Sequence, residues 1–443
     1  MDIWIKAAQF ILSLSLLVIL HEFGHFIPAI LFKTRVEKFY LFFNPWFSLF
    51  KKKIKDTEWG IGWLPLGGYV KISGMIDESM DTEQLKQPAQ PWEFRSKPAW
   101  QRLIIMIGGV VVNIIVGFVI YIGIVSYYGE TRIDSSALKK GVAIHPYLEK
   151  YGLKSGDEIL SVDGEKVTNV MEVSKELLLR NKHSLEVKHS DGQVKTIKFP
   201  EDIEYELFEQ GAFPMVSLRT KTTTIDSVIK GTPADRAKLQ KGDQFLSINQ
   251  QPITFYDEII TQLYLNKGKK VALSVLRAKD TLELSGVVGQ DAKLGFQVTQ
   301  GEYIDADKIK TYHPSFAESI PIGCKTALNT LGDYAAQLKF LFTKKGASSV
   351  GGFVSIGNLF PAVWDWEIFW INTAFLSLAL AIMNILPIPA LDGGHVMFLI
   401  YEIITGKEAP QKVLEYAQYV GIVLLLGLML YGNGNDLFKI FFK

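Results

Sequence analysis

Cysteine and net charge are both scarce in this chain, and each shortage excludes a class of protein. Its 443 residues include one cysteine, Cys324, so an intrachain disulfide and a cysteine-ligated zinc site are excluded. The 47 basic residues nearly balance 46 acidic ones and give a net charge of +1, whereas nucleic-acid-binding domains are usually strongly basic. Charged residues make up 21% of the chain, against about 25% in soluble proteins. Since 48% of the residues are apolar, a disordered chain is also excluded.

The apolar residues are concentrated in long stretches. Residues 103–128 and 368–391 carry no charge, and about 20 apolar residues suffice to cross a bilayer. Another apolar stretch, over residues 7–32 near the N-terminus, is interrupted by two histidines and a glutamate. The N-terminus is not basic and no small-residue cleavage site follows, so we do not expect a cleaved leader. We predict membrane spans over residues 1–32, 103–128, 366–392 and 412–432, with an outer tail over 433–443.

Lysine and arginine are distributed unevenly around these spans. The connection 33–102 holds many of them close to the span ends, whereas the N-terminal flank offers only Lys6. Because basic loops stay in the cytoplasm, this connection is predicted to be cytoplasmic and both termini to lie outside. The long block between the second and third spans then lies on the outer face.

An internal repeat occupies that outer block. The stretch 153–164 reads LKSGDEILSVDG, and 239–250 reads LQKGDQFLSINQ, at an offset of 86 residues. A Gly-Asp turn followed by alternating apolar residues predicts a strand, so we expect β-rich domains over 129–216 and 217–300. The second copy resembles circularly permuted bacterial PDZ domains, which implies a peptide groove at Leu294, Gly295 and Phe296. A spacer or steric filter without a ligand fits the repeat equally well.

The segment 301–365 follows the repeat. Apolar residues recur at helical spacing over 314–343, with charged residues between them. This pattern predicts an amphipathic helix on the membrane surface. A helix that simply packs against its neighbours would have the same pattern.

The sequence His21-Glu22-Phe23-Gly24-His25 is an HExxH motif inside the first predicted span. On a helix, His21 and His25 share one face and can both bind zinc, while Glu22 can take a proton from a water. Two helix-surface histidines are the alternative. Ionisable groups inside an apolar span are costly and usually functional, so we favour a metal site.

A third metal ligand is needed at the same depth in the membrane. Asp392 ends the third apolar run, and both the first and third spans are predicted to run inward. The two spans therefore bring their ligands to the same side of the membrane. A helix-ending turn is an alternative explanation of Asp392-Gly393-Gly394, and His395 is a rival ligand.

Four motifs together resemble the site-2 protease family of intramembrane zinc metalloproteases. They are HEFGH, the Leu64–Lys71 stretch LPLGGYVK, Gly109-Val-Val-Val-Asn113, and Asn384 through Pro387 and Pro389 to Asp392-Gly393. Two PDZ-like domains between the second and third spans resemble its RseP-type branch, the regulator-of-sigma-E proteases. The resemblance implies a multi-pass α-helical membrane protein with about four spans and two β-rich PDZ-like domains inserted between the second and third. It also implies one Zn²⁺ bound by His21, His25 and Asp392.

The same resemblance assigns roles to further residues. Glu22 would be the general base, and Asn384 would hold the substrate backbone or the oxyanion. Asn384 could instead form a helix–helix hydrogen bond, and for Asn113 the structural role is favoured over substrate binding. Residues 59–71 predict a hairpin that turns at Gly67 and Gly68. With Tyr69, it would dip into the membrane and pair with an extended substrate.

The implied function is cleavage of single-span membrane proteins within the bilayer of the bacterial inner membrane. The PDZ-like domains would lie on the periplasmic side and the zinc site toward the cytoplasm. Substrates would be anti-sigma factors and signal-peptide remnants, cut first by another protease; nucleic acid is not an expected partner. A zinc-dependent hydrolase of lipids or small molecules, a non-catalytic PDZ-type scaffold and a stress-sensing chaperone are the alternatives.

Overall fold

The computed structural model describes residues 2–65, 67–75, 87–298, 303 and 309–442. The chain divides into two compact units. The first unit combines Met1–Gly129 with His313–Lys443, and the second is Glu130–Tyr312.

The helices range from short ones of about one turn to long apolar ones. In chain order they are α1 Asp2–Leu31, α2 Ala99–Tyr128, α3 Val173–Leu179, α4 Ile203–Gln210, α5 Pro233–Arg236, α6 Tyr256–Leu265, α7 Phe316–Gln337, α8 Lys344–Ser349, α9 Phe353–Gly357, α10 Trp366–Ile385, α11 Asp392–Thr405 and α12 Gln411–Phe442. Short 3₁₀ turns connect some of these elements.

The strands belong to the connection after α1 and to the second unit. In chain order they are β1 Val36–Leu41, β2 Phe43–Ile54, β3 Thr57–Leu64, β4 Tyr69–Ile72, β5 Glu130–Arg132, β6 Val142–Ile144, β7 Glu158–Val162, β8 Glu165–Lys166, β9 Ser184–Lys188, β10 Val194–Lys198, β11 Val216–Leu218, β12 Ile225–Val228, β13 Gln244–Ile248, β14 Gln251–Pro252, β15 Lys270–Arg277, β16 Asp280–Val287, β17 Phe296–Val298 and β18 Lys310–Tyr312.

Four helices in the described ranges are long and apolar enough to cross a membrane. They are Ile3–Leu31, Ala99–Tyr128, Trp366–Ile385 and Gln411–Phe441, which correspond to α1, α2, α10 and α12. Together with the sheets, they support the predicted class of a multi-pass membrane protein with β-rich parts.

The ends of the third and fourth predicted spans differ from the structure, and α2 begins at Ala99 rather than at residue 103. The predicted third span runs to Asp392, but α10 ends at Ile385, because Pro387 and Pro389 lack the backbone donor that a helix needs. The predicted tail 433–443 is instead helical as far as Phe442. Polar side chains there hold the connection before α10: Asp436 accepts hydrogen bonds from the Gly352 and Ser355 backbones, both at 2.9 Å.

Close contacts through small residues hold the helices of the first unit together. A Cβ added to Gly24 of α1 would lie 2.4 Å from the Gly108 carbonyl oxygen of α2. Helix α7 packs on α2 in the same way, since a Cβ on Gly323 would lie 2.6 Å from the Ile122 Cα. The described contacts of α7 therefore favour the packing helix over the membrane-surface helix, although its Phe316 is exposed.

The first sheet has the strand order β2-β3-β1-β4. Strand β1 pairs in parallel with β3 and antiparallel with β4. The predicted hairpin at Gly67 and Gly68 is therefore wrong, because β1 lies between the two strands that the hairpin would have joined. The hairpin of this sheet joins β2 to β3 through Lys55 and Asp56. Its β2 strand exposes apolar side chains, including Trp46.

The second unit contains two copies of one arrangement. One sheet has the order β8-β7-β9-β10, and another has the order β14-β13-β15-β16. A helix, α3 or α6, connects the second and third strands of each copy along the chain. The predicted repeat is thus confirmed at the level of strand order, while the identity of the copies as PDZ domains stays a prediction.

Candidate metal centre

The two histidines of HEFGH lie one helical turn apart near the end of α1. Their Nε2 atoms are 3.2 Å apart, and the rings meet edge to face with centroids 4.8 Å apart. His25 is buried, and apart from His21 and Glu22 the residues of α1 next to it are apolar or glycine. Two imidazole nitrogens therefore converge on one point beside the helix.

Asp392 reaches the same point from the first residue of α11. Its Oδ2 lies 3.3 Å from His21 Nε2 and 3.4 Å from His25 Nε2. The chain returns sharply after α10, and Gly393 permits this: a Cβ there would lie 2.2 Å from the Leu386 carbonyl oxygen. The Gly after Asp392 thus serves the turn that delivers the carboxylate.

These distances fit a tetrahedral zinc ion. Zinc held at roughly 2.0–2.1 Å from nitrogen and oxygen ligands requires ligand atoms about 3.3–3.4 Å apart. The three observed separations are 3.2, 3.3 and 3.4 Å. Among the described residues, His21, His25 and Asp392 form the cluster that could hold a metal ion. His395 lines the same cleft but is outside this cluster.

The charge of Asp392 also suits a cation. The Asp392 Oδ2 atom, which faces both imidazoles, is buried and has no hydrogen-bond partner among the described residues. A metal ion at this point would supply the missing partner, and a carboxylate beside two histidines suits zinc.

Gly109 of α2 makes room for both imidazole rings. A Cβ at this position would lie 2.4 Å from His25 Nε2 and 2.5 Å from His21 Cε1. Both separations are far below van der Waals contact, so α1 and α2 can bring the histidines together only around a glycine.

The outer nitrogens of both rings are held by α2. His25 Nδ1 lies 2.9 Å from the Ile105 carbonyl oxygen, to which it donates. This leaves Nε2 free of a proton and available to a metal. His21 Nδ1 lies 3.1 Å from the Asn113 amide nitrogen. The Asn113 amide oxygen is buried and has no hydrogen-bond partner among the residues described. Rotation of the amide would let that oxygen accept from His21 Nδ1 and so hold the same tautomer.

Replacing Asn113 by Ala is therefore expected to weaken zinc binding by about 10–100-fold, the usual effect of removing a partner of a ligating histidine. Competition with a chelator measures the affinity in purified protein. Ser377→Ala is the matched control, because Ser377 donates to the Asn113 backbone carbonyl at 2.7 Å and leaves the amide side chain in place. Equal affinities in wild type and Asn113→Ala would contradict the role.

A cleft of about 540 Å³ opens on the three ligands. Glu22, Gly68 and Tyr69 line it, together with residues of α11 and α12. Strand β4 forms one side, with Tyr69 and Val70 among the lining residues. The Asn384 amide lies 3.4 Å from His21 Nε2.

The remaining predicted site residues lie elsewhere. Gly67 lies next to the Phe43 ring and has a φ of +146°. It is not among the residues that line the cleft. Leu294, Gly295 and Phe296 belong to the second unit. There Gly295 has φ at +93°, and its carbonyl accepts from the Ile229 backbone at 2.9 Å.

The supporting roles of Gly24, Gly108 and Ile105 were not predicted from the sequence. A glycine inside a helix costs about 1 kcal/mol relative to alanine, so Gly24, Gly108 and Gly109 were each a signal of close packing. A backbone carbonyl such as that of Ile105 leaves no signal in the sequence.

Comparison with known proteins identifies the family. The model of peptidase family M50 matches residues 9–428. The chain belongs to peptidase family M50. A Yersinia pestis protein named Protease RseP is 27% identical over 99% of this chain and 100% of its own length. A Haemophilus influenzae protein named Regulator of sigma E protease is 26% identical over 98% of both chains.

Membership of family M50 settles the class of enzyme and the metal. A Neisseria meningitidis protein named as a zinc metalloprotease is 27% identical over 97% of this chain and 98% of its own. The M50 family is zinc-dependent, so the chain is a metalloprotease whose metal is zinc.

Proposed function

We propose that this M50 peptidase is an intramembrane zinc endopeptidase that cleaves single-span membrane proteins within the bilayer. The observation that carries the proposal is the placement of the three-ligand cluster. His21 and His25 lie on a helix long and apolar enough to span a membrane, and Asp392 meets them there. We assign His21, His25 and Asp392 as the ligands of one Zn²⁺.

Glu22 is the general base of the proposed reaction. Zinc, when bound, supplies Lewis acidity that polarises the scissile carbonyl and acidifies water. Glu22 lies beside the ligands on α1, takes the proton of the attacking water and passes it to the leaving amine. Asn384, whose amide lies 3.4 Å from His21 Nε2, donates to the substrate backbone or the oxyanion.

Strand β4 is the proposed docking edge for the substrate. It ends its sheet in the order β2-β3-β1-β4, and its residues Tyr69 and Val70 line the cleft, together with Gly68 just before the strand. A helical substrate must unwind to expose its scissile bond, and an edge strand replaces the lost backbone hydrogen bonds. The Tyr69 hydroxyl, which donates to Asn44 at 2.9 Å, holds β4 in position.

Backbone esters in the substrate test this docking. An ester lacks the N–H donor, and alternate residues of a strand point their N–H groups to the same side. Esters placed at successive positions near the scissile bond are therefore expected to slow cleavage at every second position, by about 5–10-fold for one net hydrogen bond. Esters far from the bond are the control. A uniform effect along the segment would contradict strand pairing.

The proposed physiological substrates are anti-sigma factors and signal-peptide remnants that another protease has already cut. The relatives named Protease RseP and Regulator of sigma E protease support this assignment. We place the protein in the bacterial inner membrane, with the repeat copies on the periplasmic side and the zinc site toward the cytoplasm. The copies act as PDZ-like domains that screen out uncut substrates, with Leu294, Gly295 and Phe296 at a groove.

One experiment tests the endopeptidase proposal. Purified full-length protein in detergent is incubated with a single-span polypeptide, with and without a zinc chelator, and the fragments are mapped by mass spectrometry. Cleavage inside the span, lost with the chelator and restored by zinc, is expected. Cleavage confined to residues outside the span would refute intramembrane proteolysis.

A further inference from the structure

A second cleft of about 680 Å³ lies in the first unit beyond the end of α1. The connection from α1 to β1 forms one wall, and the β2–β3 turn forms another. Its lining residues include Phe26, Ile30, Lys33, Arg35, Lys55 and Asp56. None of them is among the residues lining the zinc-site cleft.

The rim of this cleft is basic. Lys33, Arg35 and Lys55 outnumber Asp56 among the lining residues that the structure describes. Arg35 Nη2 lies 4.0 Å from Asp56 Oδ1, and the Asp56 side chain is 75% exposed, so this ion pair neutralises little charge. The rim therefore favours an anion.

The wall below the rim is apolar. Phe26 packs edge-on against Trp59 with ring centroids 5.1 Å apart. Ile30 and Ile54 each leave about half of their surface exposed. Ile30 belongs to the helix Ile3–Leu31, which is long and apolar enough to span a membrane, so this wall leads from that helix to the basic rim. Tryptophans such as Trp59 and Trp92 are typical of the boundary between membrane and water.

One further group is available for a polar ligand. Thr34 lines the cleft, and its hydroxyl is buried without a hydrogen-bond partner among the described residues. A buried hydroxyl of this kind ordinarily has a partner. An oxygen-rich head group at the rim would provide an acceptor.

We propose that this cleft binds an anionic phospholipid of the surrounding membrane. Its phosphate lies between Lys33, Arg35 and Lys55, and an acyl chain follows Ile30 and Phe26 along α1. Basic pockets next to membrane spans are known to select anionic head groups. The inference does not depend on the proposed proteolytic function. A bound lipid would tie the end of α1 to the β2–β3 turn, and hence to the sheet that borders the zinc-site cleft.

Lipid binding by the purified full-length protein tests the proposal. Native mass spectrometry follows titration with phosphatidylglycerol, phosphatidylcholine or inorganic phosphate. The variant Lys33→Gln/Arg35→Gln/Lys55→Gln is expected to bind phosphatidylglycerol on the order of 100-fold more weakly, at about 1 kcal/mol for each cation. The single variant Arg35→Gln, expected to lose about fivefold on the same basis, serves if the triple variant does not fold.

Lys51→Gln/Lys52→Gln/Lys53→Gln is the matched control, since it removes the same charge from exposed residues of β2 that do not line the cleft. This variant is expected to bind phosphatidylglycerol as the wild type does. Equal losses in the two triple variants would show diffuse attraction and overturn the proposal. Equal binding of phosphatidylcholine, or binding of inorganic phosphate as tight as that of the lipid, would overturn it as well.

Discussion

Replacing Glu22 by Gln is expected to lower kcat by about 10²–10⁴-fold while zinc binding stays at the wild-type level. Gln has nearly the shape of Glu but cannot take a proton from water. The proposed metal ligands His21, His25 and Asp392 are untouched, so we expect the metal to remain. A loss of turnover with zinc retained separates a missing base from a missing metal.

Zinc content by elemental analysis and single-turnover cleavage of a single-span substrate measure the two effects. Glu367→Gln is the matched control, because this glutamate is exposed in the first turn of α10 and lies outside the residues lining the cleft. It is expected to cleave at the wild-type rate. Full activity in Glu22→Gln would remove Glu22 from the reaction.

Replacing Gly109 by Ala is expected to abolish both zinc binding and cleavage. The added methyl would lie 2.4 Å from His25 Nε2 and 2.5 Å from His21 Cε1, and it must push both rings away. Displacing two of the three proposed ligands would leave Asp392 alone. The ligand atoms of a tetrahedral zinc ion must lie about 3.3 Å apart, so a shift of an imidazole ring by about 1 Å is too large.

Gly123→Ala on the same helix is the control for this substitution. A Cβ at Gly123 has nothing within 4 Å, so the methyl finds open space. We expect it to bind zinc and cleave substrate normally, and to be slightly more stable, since alanine is the better helix former. If Gly109→Ala bound zinc as tightly as Gly123→Ala does, the packing of the imidazoles against α2 would be refuted.

The sequence singles out the proposed site residues because charged and polar side chains are unusual in apolar stretches. His21, Glu22 and His25 stand out inside an apolar helix, and Asp392 stands out at the end of an apolar run. Spacing along one helix also predicts that His21 and His25 share a face. The contacts that hold the two imidazoles could not be predicted in the same way. Every residue has a backbone carbonyl, and only the packing of α1 against α2 places that of Ile105 next to His25.

The sheet after α1 shows where local patterns fail. Alternation over residues 59–71 and two glycines indicated strands and a turn, and strands β3 and β4 do lie there. The pairing of these strands was not predicted correctly, because β1, an earlier strand in the chain, lies between β3 and β4 and pairs with both. Turn residues indicate where a strand ends, but they do not specify which strand it pairs with.

The order of synthesis makes the distance between the ligands along the chain important. His21 leaves the ribosome well before Asp392, because a large part of the chain separates the two residues. Until α11 has been made, the two imidazoles lack the third side chain of the cluster. If the three residues hold zinc as we propose, a nascent copy of the protease stays inactive until α11 has been synthesised.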